Sequence, residues 1–264
     1  MVKTAIKRIY TFLIFLFLYS PIIVLIVFSF NSSKSRAHWT GFTFKWYVEM
    51  FKDQQIMTSL YYTITIALTA SIIATIIGTI AAIGIHSMKK MPKAIMTNMT
   101  YLPVLNPDIV TGISLMILFI LVKLPRGFFS MLLAHITFNL PYVILSVMPK
   151  LKQLDNQVYD AALDLGATPG YAFIKVVLPQ IAPGIFTGFL LAMTMSIDDF
   201  VISFFTTGPG VSNLAITIYS MARKGVSPKI NALLSLMFAG VILMLLVINN
   251  RMSRDNGRRG ENVI

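Results

Sequence analysis

Two adjacent carboxylates, Asp198 and Asp199, sit inside an otherwise apolar stretch from Met193 to Phe205. A charged acid at the centre of a bilayer costs about 2.5–3.5 kcal/mol on insertion scales, so an intramembrane acid is a functional-site hypothesis by default. At about 100° per residue, Asp199 falls near a ridge of small residues, Gly184, Gly188, Ala192 and Ser196, that suits close helix packing. Asp199 is therefore read as a buried packing acid. Asp198 points away from the ridge, toward lipid, which is costly, or toward a polar pathway. Hydration near the outer interface would account for the pair without any function. A third acid, Asp108, follows Leu102-Pro103-Val104-Leu105-Asn106-Pro107, where two prolines break the helix and Asn106 is placed to cap a restart at Pro107. Asp108 then occupies the second helical position, where the helix dipole favours an acid. Capping explains it. The alternative is a third carboxylate on a transport route, because transporters build sites at broken helices near the midplane. Carboxylates lining a path attract cationic cargo. Tyr219, in the short amphipathic stretch Leu214 to Met221, either hydrogen-bonds cargo or only stabilises its loop.

Nothing supports catalysis in this chain. His38, His86 and His135 are isolated, share no ligand spacing with carboxylates, and read as interfacial polar residues, so no metal site and no catalytic residue is assigned. The absence of cysteine removes disulfides, thiolate metal sites and cysteine nucleophiles. The phosphate-cradling G-x-x-x-x-G-K-[ST] loop is also missing, and no Gly-Lys dipeptide occurs anywhere.

The elements that must position these residues are membrane helices. Hydrophobic residues make up 56% of the 264-residue chain and charged residues 12%, against about 25% charged in a soluble domain. The apolar residues gather into runs near the ~20 residues that cross hydrocarbon. The first, Ile9 to Phe30, is too long for a signal peptide and lacks its cleavage site, so it reads as an anchor. Five more follow at about 60–85, 101–122, 128–148, 181–205 and 231–248. The expected fold is an all-α integral membrane protein with six transmembrane helices. Residues 1–59 hold the first helix and an outer loop, 60–250 the core, and 251–264 a basic tail. With both termini cytoplasmic, thirteen of the 22 Lys and Arg residues fall inside, as the positive-inside rule requires. The formal net charge of +12 is spread over alternating loops, which argues for membrane orientation and against nucleic-acid binding. Contact of the Arg251–Arg259 tail with anionic membrane lipid is an additional expectation.

The largest inner loop, Pro149 to Gln180, reads as a helix-turn-helix elbow. Asp155 or Asn156 caps a helix to about Leu165, with Gly166 at the C′ position. Thr168 and Pro169 restart a second helix toward Val177, which Leu178 and Pro179 interrupt. A structural connector would look the same. Trp39, Trp46 and Tyr47 in the first outer loop read as an interfacial aromatic belt, the alternative being contact with a binding protein or cation–π contact with cargo. The ridge of Ala70, Ala74, Gly78 and Ala82 reads as helix packing.

The spacing within the elbow is specific. Asp160-Ala161-Ala162, three positions, Gly166, nine positions, then Val176-Val177-Leu178-Pro179 resembles the signature loop of bacterial ATP-binding-cassette importer permeases, written EAA, Gly, Ile-x-Leu-Pro. Asp160 replaces the usual Glu and Val176 the usual Ile. The resemblance implies that this elbow, between spans four and five, is the coupling helix that docks on a cytoplasmic ATPase dimer. Small Ala161 and Ala162 would allow close approach of that partner. ATP and Mg would then be bound by the partner, with no cofactor in this chain.

Further segments, Phe28 to Ser33, Gly41-Phe42-Thr43 with Trp46-Tyr47, Asn106 to Val110, Ser196 to Phe200, and Ile218-Tyr219-Ser220 through Leu233, are similar to the PotC-type permeases of spermidine/putrescine importers. That resemblance implies a multi-pass subunit of the bacterial cytoplasmic membrane, paired with a second homologous permease, an ATPase dimer and an extracytoplasmic polyamine-binding protein. Asp198, Asp199, Asp108 and Tyr219 would line the substrate pathway. Asp160, Ala161, Ala162, Gly166, Leu178 and Pro179 would couple it to the ATPase. The rival readings are a permease for sulfate, iron or phosphonate and, from another class, a membrane enzyme or stand-alone channel.

Overall fold

The computed structural model describes residues 2–34, 38–223, 227–240 and 242–243. It is built of helices: α1 (Val2–Ser29), α2 (Lys45–Lys52), α3 (Gln54–Ser87), α4 (Lys90–Leu105), α5 (Asp108–Leu121), α6 (Phe128–Lys152), α7 (Asn156–Asp164), α8 (Pro169–Ala172), a π-helical turn (Phe173–Val177), α9 (Leu178–Asp198), α10 (Val201–Thr206) and α11 (Leu214–Arg223). A last helical run covers 228–240. Among the described residues the only extended pairing is a single bridge between Asn31 and Phe42.

Four helical stretches among the described residues are long and apolar enough to cross a membrane, Lys7–Ser29, Gln54–Ser87, Phe128–Lys152 and Pro169–Asp198. A fifth exists if α4 and α5, bent by 102°, form one broken span. The span expected over 101–122 is thus two helices, and most of the inner loop expected at 86–100 is helical. The break has a covalent cause, since Pro107 has no N–H to donate and disfavours helical geometry at Asn106, whose ψ is 142°. The span expected at 181–205 also breaks, because α9 ends at Asp198 and α10 begins at Val201. The sixth expected span, 231–248, is helical to 240, and most of its remainder, like the tail 251–264, lies outside the described residues.

The chain divides into two compact units, Met1–Met57 with Ile218–Ile264, and Thr58–Thr217. In the first unit, α1 leads into a loop with a small core of its own. Trp46 is 2% exposed, and its indole N–H donates to the Asn31 carbonyl at 2.6 Å. The Asn31 side chain receives Thr40 N–H at 3.0 Å and donates to the His38 carbonyl at 2.8 Å. Phe30 stacks on Phe42 with centroids 5.1 Å apart. The belt expected of Trp39, Trp46 and Tyr47 therefore does not include Trp46, which holds the loop together from inside, while Trp39 is exposed.

In the second unit the core lies where α6 packs on α9. The ridge of Gly184, Gly188, Ala192 and Ser196 is buried throughout. A Cβ at Gly184 would lie 2.9 Å from Lys150 Cγ and 3.0 Å from the Ser146 carbonyl oxygen, and one at Gly188 3.2 Å from Val143 Cα. Only glycine lets the backbones approach this closely. Gly78 of α3 meets Val143 in the same way, at 2.8 Å from its Cβ. These contacts close an apolar cluster of Ala74, Ala82, Val143, Ile144, Val147 and Ile181.

Candidate functional site

The two neighbouring acids have different surroundings. Asp198 is the last residue of α9 and is exposed. Asp199 leaves the helix with extended geometry, φ −63° and ψ 121°, and turns its carboxylate onto the next helix. One oxygen accepts Ile202 N–H at 3.1 Å and the other Ser203 N–H at 2.7 Å, two of the donors that the first turn of α10 leaves without intrahelical partners. Its side chain is only 6% exposed. The helical projection that placed Asp199 on the α9 ridge fails, because the residue is no longer in α9. The expectation of a buried acid holds through capping instead.

Around Asp199 lies a buried polar network that the sequence did not announce. His135, read as interfacial, is 1% exposed. Its Nε2 lies 2.9 Å from Ser203 Oγ and 3.7 Å from the Asp199 carboxylate. Asn213 donates to Ser203 Oγ and to the Asp199 carbonyl, both at 2.7 Å. One turn along α6, Asn139 donates to Ser196 Oγ at 2.8 Å, while Ser130 donates to the Thr206 carbonyl at 2.7 Å. The available signal was the i, i+4 pair His135 and Asn139 within an apolar span, which puts two polar side chains on one face of α6.

Asp108 is the first residue of α5, one position earlier than expected. The N-cap position is Pro107, with no side-chain cap, and Asn106 instead ends α4 by donating its backbone N–H to the Leu102 carbonyl at 3.2 Å. Asp108 is exposed, at the start of the helix that carries Leu115 and Phe119. Tyr142 packs with Met195 against the cluster of Leu115, Phe119, Phe138 and Ile202. Met195 lies one helical turn from Asp198. Asp108 opens α5 and Asp198 closes α9, two helices that both send side chains to this cluster, and neither acid has a cationic partner among the described residues. Tyr219 belongs to the first unit, on α11, where Arg223 lies 6.0 Å over its ring. No group of three or more His, Cys, Asp or Glu residues among the described ones could hold a metal ion.

The elbow forms largely as its sequence directs. Asp155 caps α7 by accepting Gln157 N–H at 2.9 Å. At the other end Gly166 adopts φ +85°, Ala167 N–H bonds the Ala162 carbonyl and Gly166 N–H the Leu163 carbonyl, the paired bonds of a Schellman motif. Ala161 and Ala162 therefore sit in the last turns of a helix closed on both sides. Thr168 then caps α8, accepting Tyr171 N–H at 3.4 Å, with Pro169 at the first helical position. Leu178 and Pro179 do not interrupt the second helix. The turn Phe173–Val177 widens so that Leu178 N–H reaches Phe173 O, and this extra residue accommodates the donor that Pro179 lacks. One helical stretch runs from Pro169 to Asp198. At the turn, Leu165 is 89% exposed, and Val158, Tyr171 and Ile174 are also exposed.

Residues 74–250 match the family model described as "Binding-protein-dependent transport system inner membrane component". The chain is 38% identical over 242 residues, 92% of its length and 91% of the relative's, to the spermidine/putrescine transport system permease protein PotC of Escherichia coli K12. It is 38% identical over 252 residues to the putrescine transport system permease protein PotI of the same organism, covering 93% and 90% of the two chains. The PotC of Haemophilus influenzae is 35% identical over 95% of this chain and 97% of its own. The fold is similar to a chain of a bacterial ABC transporter involved in alginate import, with TM-score 0.76, 13% identity and coverage of 94% and 96%. A chain of a bacterial alginate ABC transporter in complex with its periplasmic protein gives TM-score 0.72 at 18% identity, covering 96% and 94%. This chain belongs to the family of binding-protein-dependent transport system inner membrane components: it is an ABC importer permease, a membrane subunit whose ATP hydrolysis belongs to separate chains.

Proposed function

We propose that this permease carries a polyamine, spermidine or putrescine, across the bacterial cytoplasmic membrane by alternating access. The observation that carries the cargo assignment is the pair of exposed carboxylates, Asp108 and Asp198, on apolar helices and without a cation of their own among the described residues. A linear polycation supplies what they lack, and the names of the relatives agree with it. In this reading Asp198 and Asp108 pair with ammonium groups, and Asp199 holds α9 and α10 in the shape that presents Asp198.

The chain works with a second homologous permease, an extracytoplasmic binding protein that delivers cargo, and a cytoplasmic ATPase dimer that binds ATP and Mg. The dimer docks on Asp160, Ala161 and Ala162 beside the exposed Leu165 and Tyr171. Gly166 closes the lever's turn, and Leu178 and Pro179 join it to α9. Six spans with both termini cytoplasmic place the elbow on the ATPase side. The decisive experiment reconstitutes the chain with its partners in liposomes and measures labelled spermidine uptake for wild type and for Asp108→Asn combined with Asp198→Asn. ATP-dependent uptake that is lost in the double variant, with basal ATPase retained, supports the reading. Unchanged uptake in the assembled variant would remove the carboxylates from the path.

A further inference from the structure

We infer that the elbow end of the second unit holds an anionic phospholipid, its headgroup between Lys93 and Lys152 and an acyl chain in the groove beneath the elbow. The inference rests on the proposed orientation, which puts this end at the inner leaflet.

Two lysines on different helices bring positive charge to the end of α3. Lys93, near the start of α4, donates to the His86 carbonyl at the end of α3 at 2.7 Å and lies 3.4 Å from His86 Nδ1. Lys152, at the end of α6, directly follows Leu151, which lines the same cavity as His86. Neither lysine has a carboxylate partner among the described residues. The bond to the His86 carbonyl fixes the Lys93 ammonium, which has three donors in all. Beside this charge opens a cavity of about 290 Å³. Ile83, Leu151, Leu154, Phe173, Val176 and Val177 form its apolar walls, and His86 belongs to its lining. The one acid in that lining, Asp155, caps α7 by accepting Gln157 N–H and keeps its charge, which the two lysines outnumber.

An apolar groove joined to a cationic mouth at the level of a membrane interface matches a lipid in both parts. A soluble phosphate would use only the mouth. Basic pockets between membrane helices on the cytoplasmic side are a general means of holding anionic headgroups. Part of the groove wall is the π-helical turn that links the elbow to α9, and Tyr159 of α7 also lines it. A lipid seated there braces the elbow against the ends of α3 and α6.

The test titrates phosphatidylglycerol onto the purified, assembled importer in detergent and counts bound lipid by native mass spectrometry, with no transport required. Failure of the polyamine reading therefore leaves this measurement intact. Lys93→Gln with Lys152→Gln should weaken phosphatidylglycerol binding at the site about 30-fold, two lysines contributing about 1 kcal/mol each. Lys152→Gln alone, which leaves the Lys93 bond to α3 in place, should weaken it about fivefold, and Lys152→Arg should restore it. Ile83→Trp, which narrows the groove without touching the charge, should also reduce binding. The basic tail contributes equally to every variant. The inference is overturned if the double variant binds as wild type does, if zwitterionic phosphatidylcholine binds as tightly, or if inorganic phosphate displaces the lipid.

Discussion

Replacing Asp199 by alanine should destabilise the protein strongly, whereas the same change at its neighbour Asp198 should not. The Asp199 carboxylate accepts two backbone N–H groups at the start of α10, at 3.1 and 2.7 Å, with His135 Nε2 at 3.7 Å. Hydrogen bonds to a charged group contribute about 1.5–3 kcal/mol each, and a buried donor left unpaired costs about 1–3 kcal/mol. Allowing for local relaxation, the loss is about 3 kcal/mol, within a factor of two. Asp198 is exposed at the end of α9, and a surface change away from such features stays within about 0.5 kcal/mol. At roughly 2–4 °C per kcal/mol for a chain of this size, Asp199→Ala should lower the midpoint by roughly 6–12 °C and Asp198→Ala by less than about 2 °C. The assay heats the solubilised importer and follows the surviving assembly by fluorescence-detected size exclusion. Asp199→Asn keeps one acceptor oxygen and should fall between. Equal losses at the two positions, or wild-type stability of Asp199→Ala, would refute the capping role assigned to Asp199.

Gly166→Val forces a β-branched residue to φ +85°, at a cost of roughly 1–2 kcal/mol to the turn; assembly should survive while stimulation of ATPase activity by cargo-loaded binding protein falls, read as phosphate release. Gly208→Ala places its Cβ against the backbone of Arg126, which no rotamer change relieves, and should reduce folded yield in the membrane. Gly184→Leu drives α9 off α6 at the Ser146 carbonyl and should cost about 1–3 kcal/mol or more by overpacking, seen as a lowered midpoint in the same heating assay. Trp46→Phe removes the 2.6 Å bond to the Asn31 carbonyl at about 1 kcal/mol; it should raise proteolysis of the loop around 31–44, whereas Trp39→Phe, at an exposed site, should not.

Apolar run length, small-residue spacing and capping chemistry are local properties, and they carried the membrane helices, the α6–α9 packing ridge and the elbow from Asp155 to Thr168. A Schellman turn at Gly166 needs only residues within one helix, so it can be read from the chain. The break between α4 and α5 was likewise legible in Asn106-Pro107, though its 102° angle was not. Proline signals misled at Pro179, where a missing donor was absorbed by widening one turn rather than ending the helix.

The chain's own residues were enough to place it in a membrane, to show the elbow signature of an importer permease, and to set Asp108 at a helix break, but not to show the break at Asp199. Which of the two neighbouring acids is buried came only from the folded chain. Asp198 and Asp199 are chemically identical neighbours, and only the turn of the backbone after α9 aims one carboxylate at the α10 amides, beside His135, and leaves the other exposed. His135 and Asn139 meet Ser203 and Ser196 across long stretches of chain, Asn213 folds back on Ser203, and Trp46 closes on Asn31. No local pattern encodes those partners, because a buried polar group is satisfied by whatever the fold brings to it.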